Sequence, residues 1–296
     1  MSQAARYFPD RMSTAINGGS HGIGERLDAR VLDCINEAPA NEGLLISEAD
    51  YWEHYYEAEG GYEWNNGRLE VKPVSDFLTV LCYRWFLRLL EQFLSVEPIA
   101  ALTALDFGFR MQLPGKVAIR KPDLGVILKD NRQPLAGLDR TFRGTCDLCI
   151  EALSDSRRGA IERDTRTKFE EYAAAGVREY FILHHRLDLC AFYRLNEAGH
   201  YESIDTGDIG DTGDNGDGLL RSVVLPGFQL RLADLERQRE LPELMDDPVY
   251  SAFVLPGWQA ERRARVAAEQ RAEQEAEARH ALEQELARLR VAAGER

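Results

Sequence analysis

The sequence predicts an α/β fold: a mixed β-sheet core flanked by helices, with one long helix appended at the C-terminal end. Three observations carry this expectation. Short apolar runs at 124–128, 148–150 and 179–183 read as buried strands. The segment between the second and third has helical spacing, opens on the N-cap types Ser154, Asp155 and Ser156, and closes on Gly176. From Ala260 to Arg290 the chain is almost entirely Ala, Glu, Arg, Gln and Leu, which predicts a single helix on the order of 45 Å long.

Residues 1–45 show no sustained period and are expected to be poorly ordered. They contain GGSHGIG from Gly18 to Gly24, the look of a dinucleotide-binding turn in a dehydrogenase. Such a turn works only between a buried strand and a helix, because its glycines bring a pyrophosphate onto the helix N-terminus. The preceding RYFPDRMSTAIN is no such strand, and no Tyr is followed four residues later by Lys.

A domain is expected over 46–238. Ser47, with Asp50 three residues on, starts a helix running to Glu59. YEW and RLEV flank Asn66-Gly67 and predict a hairpin over 62–71. Phe77 to Leu94 carries Leu78, Leu81, Cys82, Trp85, Leu89 and Phe93 at helical spacing, a stripe suited to core packing. Strands follow at 104–113 and 117–128, and an antiparallel pair at 189–194 and 199–203. GDIGDTGDNGDG, from Gly207 to Gly218, lacks the closing Glu of a calcium loop and reads as an acidic hairpin tip. A last strand spans 222–230. Three prolines (Pro242, Pro248, Pro256) mark 239–258 as a linker. In the charged helix over 259–294, Leu282, Leu286 and Leu289 form a short apolar stripe, open to a weak coiled coil, a homodimer or a protein partner, and equally to a solvated helix.

Strand, helix, strand in succession implies a parallel crossover, so the end of the Glu151 strand and the start of the next helix share one sheet edge, where α/β proteins place their sites. Asp123 follows Pro122 at the start of one apolar run, and Glu151 closes another. Asp164 and Lys168 lie four apart on the intervening helix and are neighbours there. On spacing alone, the helix pair also reads as a surface ion pair and the carboxylates as turn residues.

Pro122-Asp123, Glu151 with Ser154, Asp164 with Lys168, and the phrase AGVREYFIL together resemble the Uma family of putative restriction endonucleases in the PD-(D/E)XK nuclease superfamily. The resemblance runs over about 46–236, from YEWNNGRLEV to LLRSVVLPGFQL. It implies a restriction-endonuclease-like core, DNA as substrate, and Asp123, Glu151 and Lys168 as catalytic residues. Asp123 and Glu151 would hold Mg2+ or Mn2+, with the Ala152 carbonyl as a third ligand. Glu63 and Asp164 would support them, Glu63 completing the metal site or capping its strand. Two features depart from the pattern. Leu153 stands where the superfamily has its lysine, which offers Lys168 as the migrated replacement, and PVSDFLTVL lacks a histidine common in the family. Residues 151 and 153 of a regular strand share a face, so the strand is expected to end at Glu151, sparing a metal ligand an apolar neighbour.

Composition narrows the classes. A net charge of −14 argues against a protein whose whole surface grips nucleic acid, although 110–168 holds 13 Lys or Arg against 8 Asp or Glu. Arg157, Arg158, Arg163 and Arg166 within that stretch read as a solvated helix face. No apolar run reaches the roughly 20 residues of a membrane span, and the N-terminal segment lacks a signal-peptide core; a cytoplasmic protein with reduced cysteines is expected. Cys146 and Cys149 form a lone CxxC inside a strand, and His184 and His185 have no acidic partner at ligand spacing, so all four read as structural. The expectation is a divalent-metal-dependent endonuclease hydrolysing DNA. The alternatives are a non-catalytic member of that fold binding nucleic acid or protein, and the dehydrogenase that GGSHGIG suggests.

Overall fold

A six-stranded mixed sheet forms the centre of the fold in the computed structural model, which describes residues 39–207, 218–292 and 294. The segment with Gly18–Gly24, and the Gly-Asp repeat between Gly207 and Gly218, lie outside the described residues. The sheet is built from β3 (Ala100–Thr103), β6 (Leu124–Leu128), β7 (Leu148–Ala152), β8 (Glu179–Leu183), β9 (Ala191–Leu195) and β10 (Tyr201–Ser203), in the order β10-β9-β8-β7-β6-β3. Only β7 and β8 pair in parallel, as a helical crossover between them requires. Alternation along β7 sends Leu148 and Ile150 into one apolar cluster and Cys149 and Leu153 into another.

The first cluster lies under α2 (Phe77–Val96), whose Trp85, Phe86, Leu89, Leu90 and Phe93 are buried against the sheet. Each such side chain contributes about 1.5–3 kcal/mol through burial, so the helix is fixed by its stripe rather than by propensity. Asp76 caps it, accepting from the N–H groups of Leu78 and Thr79. The 239–258 segment belongs to this cluster and is not a linker. Leu244, Val249, Tyr250, Phe253 and Val254 are buried in it, and Trp85 Nε1 donates to the Arg239 carbonyl at 2.8 Å. Pro242 lies in the first turn of α6 (Leu241–Leu244), just after α5 (Leu232–Arg237), Pro248 lies in a turn, and Pro256 begins the last helix, so the prolines mark breaks within a packed segment.

A second, four-stranded antiparallel sheet has the order β2-β1-β5-β4, from β1 (Tyr62–Asn65), β2 (Arg68–Val71), β4 (Phe109–Leu113) and β5 (Lys116–Arg120). Asn66 and Gly67 both take positive φ (47° and 94°), the geometry the hairpin signal predicts. Before it, Ser47 and Asp50 form a capping box on α1 (Glu48–Asp50), which continues only as a π-turn, Tyr51–Tyr55. β11 (Leu219–Arg221) and β12 (Gln229–Arg231) make a small hairpin where one strand was expected.

Between the two sheets runs the crossover. It comprises α3 (Arg158–Glu162), a π-turn over Arg163–Thr167 and α4 (Lys168–Ala175), closed by Gly176 at φ 84°. Tyr172 stacks on Phe109 of β4 and meets Tyr180 of β8 edge-on, which fixes α4 between the layers. The expected early end of β7 is not observed. Leu153 N–H donates to the Leu183 carbonyl, and Leu153 is fully buried in the Cys149 cluster, whose apolar packing stabilises it beside Glu151. The last element, α7 (Pro256–Ala292), leaves Leu282, Leu286 and Leu289 exposed and carries i,i+4 pairs such as Arg279–Glu283. No helix among the described residues is long and apolar enough to cross a membrane.

Candidate active site

The register of β6 against β7 puts Leu124 opposite Ile150, so Asp123 lies across from Glu151 at the sheet edge. The Asp123 carboxylate accepts from the Ala152 N–H at 2.8 Å, an antiparallel neighbour's amide turned to holding a side chain. The Ala152 carbonyl is engaged by the Ser75 hydroxyl at 2.8 Å, so it is the amide of Ala152 that touches Asp123. Glu151 points to the α4 side, where the Tyr172 hydroxyl donates to its Oε1 at 2.8 Å.

Lys168 begins α4 directly after the π-turn, its N–H bonded to the Arg163 carbonyl. The widened turn belongs to a class that recurs at functional sites. Its ammonium is buried, 3.0 Å from Glu151 Oε2, 3.5 Å from Glu63 Oε1 and 3.1 Å from Asp164 Oδ1, the last contact lying off hydrogen-bonding geometry. Asp123, Glu151, Lys168, Asp164 and Glu63 thus gather in one place. Glu63 is a wholly buried member, accepting from the Lys121 N–H at 2.8 Å and from Arg120 Nη1 at 3.1 Å, not a strand cap.

Behind them stands a layer of ion pairs that sequence reasoning missed. Arg120 is wholly buried between Glu63, Glu70 and Glu171; Lys116 also reaches Glu171, and Arg163 reaches Glu70 and Glu42. Arg163 is therefore no part of a solvated helix face. Two further site residues went unread. One is Tyr172, whose hydroxyl reaches Glu151 and whose place four residues past Lys168 on the same helix is the signal that could have found it. Lys72, just past β2, places its ammonium 3.0 Å from Asp123 Oδ1, and nothing local to its sequence points there.

Charge in the pocket does not balance. Seven carboxylates (Glu42, Glu63, Glu70, Asp123, Glu151, Asp164 and Glu171) share five cations (Lys72, Lys116, Arg120, Arg163 and Lys168). Two formal negative charges remain over. Burial, then the neighbouring carboxylates, raises Glu151 to about 8 despite Lys168. Burial pushes Glu63 the same way, but Lys168 and Arg120 overcome it and hold it at about 2. Burial would lower Lys168, and the surrounding carboxylates hold it well above its ordinary value instead. Hard oxygens with two formal negative charges left over, one of them on a carboxyl that burial keeps protonated in the metal-free protein, suit a divalent cation such as Mg2+ or Mn2+, which would displace that proton.

A separate cluster sits at the end of β8. Asp76, His184 and His185 bring their ligand atoms within 4.8 Å of one another, the one such group of three among the described residues, so the histidines do have an acidic partner, supplied by the cap of α2. By spacing it could hold a metal ion. Its hydrogen bonds, however, are largely committed. Asp76 caps α2 and accepts from the Thr79 hydroxyl, and His184 Nδ1 accepts from the Arg186 N–H, which leaves the ring proton on the buried Nε2. Burial lowers His184 to about 4. Cys82, Cys146, Cys149 and Cys190 are all free thiols.

Three comparisons place the chain among known proteins. Residues 49–233 match the model of the Uma2 family, described as putative restriction endonuclease. A solved structure of a putative nuclease from Anabaena variabilis aligns with 65% of this chain and 98% of its own, at 16% identity and a TM-score of 0.48. No curated protein matches. With well over half its length matched, this chain belongs to the Uma2 family of putative restriction endonucleases.

Proposed function

We propose that this protein is a divalent-metal-dependent endonuclease hydrolysing phosphodiester bonds in DNA. The observation that carries the reading is the burial of Lys168 within 3.0 Å of Glu151, on the edge where Asp123 faces it. Carboxylates and a lysine from three separate elements meet there, at a cost in desolvation that a fold alone does not need.

Asp123 and Glu151 would hold the cation. When bound, it would supply a hydroxide at neutral pH and neutralise charge on the phosphate. The chain's own residues do the rest. Tyr172 fixes one oxygen of Glu151 and Lys168 the other, which orients the carboxylate toward Asp123. The Lys168 ammonium, kept charged by Asp164 and Glu63, is a fixed positive group for the attacking oxygen and the pentacoordinate phosphate. Asp123 is the most solvent-open of these carboxylates and marks the side from which DNA enters.

A second reading, a non-catalytic nucleic-acid binder on the same fold, draws support from the ammonium already lodged on Asp123. Incubating plasmid and single-stranded DNA with wild type, Asp123→Ala and Glu151→Ala, with Mg2+ and with EDTA, separates the two. Cleavage by wild type in Mg2+ alone supports the nuclease. DNA binding without cleavage in any metal supports the binder. Cleavage at the wild-type rate in either variant removes the site assignment.

A further inference from the structure

Lys72 touches Asp123, one of the carboxylates read as cation ligands, and has no place in the mechanism above. Its backbone is pinned where β2 ends, its N–H bonded to the Gly61 carbonyl at 2.8 Å. Its side chain then runs inward, only 15% exposed, and the ammonium meets three oxygens from two segments, one at Asp106 and one at Lys121 and Asp123. It lies 3.0 Å from Asp123 Oδ1 and donates to the Lys121 carbonyl at 2.7 Å, with Asp106 Oδ1 at 3.7 Å on the outer side. Two carboxylates and a backbone carbonyl around one positive centre form the donor set a hard divalent cation takes.

The outer oxygen is deliberately placed. Leu105 and Asp106 both hold positive φ (56° and 63°), a conformation unfavourable for two successive non-glycine residues, and this turn brings Asp106 alongside Lys72. Asp106 is half exposed, whereas Asp123 is set further in. Lys72 therefore has two carboxylate partners in line, one at the inner seat and one toward solvent.

We propose that Lys72 is a resident competitor for the cation seat at Asp123: its ammonium holds the oxygens in place in the metal-free protein, and yields the seat, moving toward Asp106, when a divalent cation loads. The inference rests on the reading of Asp123 and Glu151 as cation ligands. It makes loading an exchange of one bound charge for two, so the free protein keeps an assembled site without a fully uncompensated Asp123. It also predicts an effect of opposite sign to that of a structural ion pair. Loss of a mere brace loosens the site and weakens cation binding or leaves it unchanged, whereas loss of a competitor tightens it.

The test uses the full chain and Mn2+ alone, with affinity read by calorimetry and by the spin-resonance signal of free Mn2+. Lys72→Met keeps the stem and removes the charge. We expect it to bind Mn2+ at least about tenfold more tightly than wild type, a change of about 1.4 kcal/mol, while Asp123→Asn binds it more weakly. Modification of Lys72 by an amine-reactive ester, followed by peptide mass spectrometry, gives a measurement on wild type, and we expect it to be faster at saturating Mn2+ than in EDTA. Lys72→Met folded but no tighter, with Asp123→Asn weaker, overturns the role of Lys72 and leaves the cation site standing. Asp123→Asn binding as well as wild type, or no binding by either wild type or Lys72→Met, overturns both. Should Lys72→Met fail to fold, unchanged Lys72 reactivity in Mn2+ overturns the proposal and a rise supports it.

Discussion

Replacing Glu151 by Gln should make the metal-free protein more stable, and increasingly so as pH rises. Glu151 is ordinarily expected near 4.5 in the unfolded chain, and burial lifts it to about 8 in the fold. The fold therefore prefers its neutral form. That preference is fully expressed below about 4.5 and is lost as pH climbs toward about 8, because holding the buried ionised carboxylate costs free energy. At about 1.4 kcal/mol per pH unit the whole span sets a ceiling of about 5 kcal/mol. The window from about pH 5 to pH 8 covers most of that span, and because Glu151 shares Lys168 with Asp164 and Glu63 the step belongs to the group and not to one carboxyl, so about 2 kcal/mol is the expected gain of Glu151→Gln across it. Glutamine fits the site: its amide oxygen can face the Lys168 ammonium and its NH2 the Tyr172 hydroxyl. Lys168 keeps Asp164 and Glu63 as counter-charges. Urea unfolding in EDTA, followed by tryptophan fluorescence at the two pH values, measures the difference. Parallel pH profiles for the two proteins would refute the argument, since they would mean that Glu151 ionises in the fold as it does in water.

Other outcomes follow from the same contacts. Asp123→Ala and Glu151→Ala should each abolish Mg2+-dependent plasmid cleavage while leaving the circular dichroism spectrum unchanged. Lys168→Ala should lower cleavage at least about tenfold with Mn2+ binding nearly kept by calorimetry, and it should cost the metal-free fold about 3–5 kcal/mol in urea unfolding, because Glu151, Asp164 and Glu63 lose their shared counter-ion. Tyr172→Phe removes the hydroxyl bonded to Glu151 and should cost about 1 kcal/mol, with a several-fold fall in cleavage. A chain ending after Arg262 keeps the bonds of Gln259 to Ser251 and Val254 and the ion pair of Arg262 with Asp246, and should melt with wild type. Light scattering on that chain tests whether the exposed leucines of α7 support self-association.

What could be read from sequence was whatever one local stretch encodes. The β7–α4–β8 crossover was legible because apolar runs and Gly176 sit in order along the chain, although the helix is capped at Arg157 with no side-chain cap and not by Ser154, Asp155 or Ser156. The same logic put Asp164 and Lys168 on one side of a helix beside the Glu151 edge; in the fold the Lys168 ammonium lies 3.0 Å from Glu151 Oε2. What could not be read was pairing between segments far apart in the chain. Arg120 meets Glu171 and Glu63 across separations of 51 and 57 residues, and Lys72 donates to Lys121 across 49. The linker misreading has a related cause. Prolines mark turns equally in packed and in free segments, and only the partners of Tyr250 and Phe253, supplied from α2, α5 and β12, show which kind this is.

The Leu153 mismatch shows how the site tolerates its departure from the usual motif. A strand residue two past Glu151 points the same way, so a lysine there would have delivered its ammonium directly. Here that direction is filled by a fully buried leucine that joins Cys149 and Ile161 in the second cluster. The charge then has to come from the opposite layer, and a helix is able to supply it only if held at a fixed distance from the sheet. Tyr172, stacked on Phe109 and bonded to Glu151, sets that distance one turn beyond Lys168. Apolar packing at position 153 and ionic reach from position 168 are thus two halves of one arrangement. Leu153→Lys alone should therefore add a second cation to a spot without room or solvent for it, costing stability without restoring cleavage to Lys168→Ala, as a double variant compared with each single one would show.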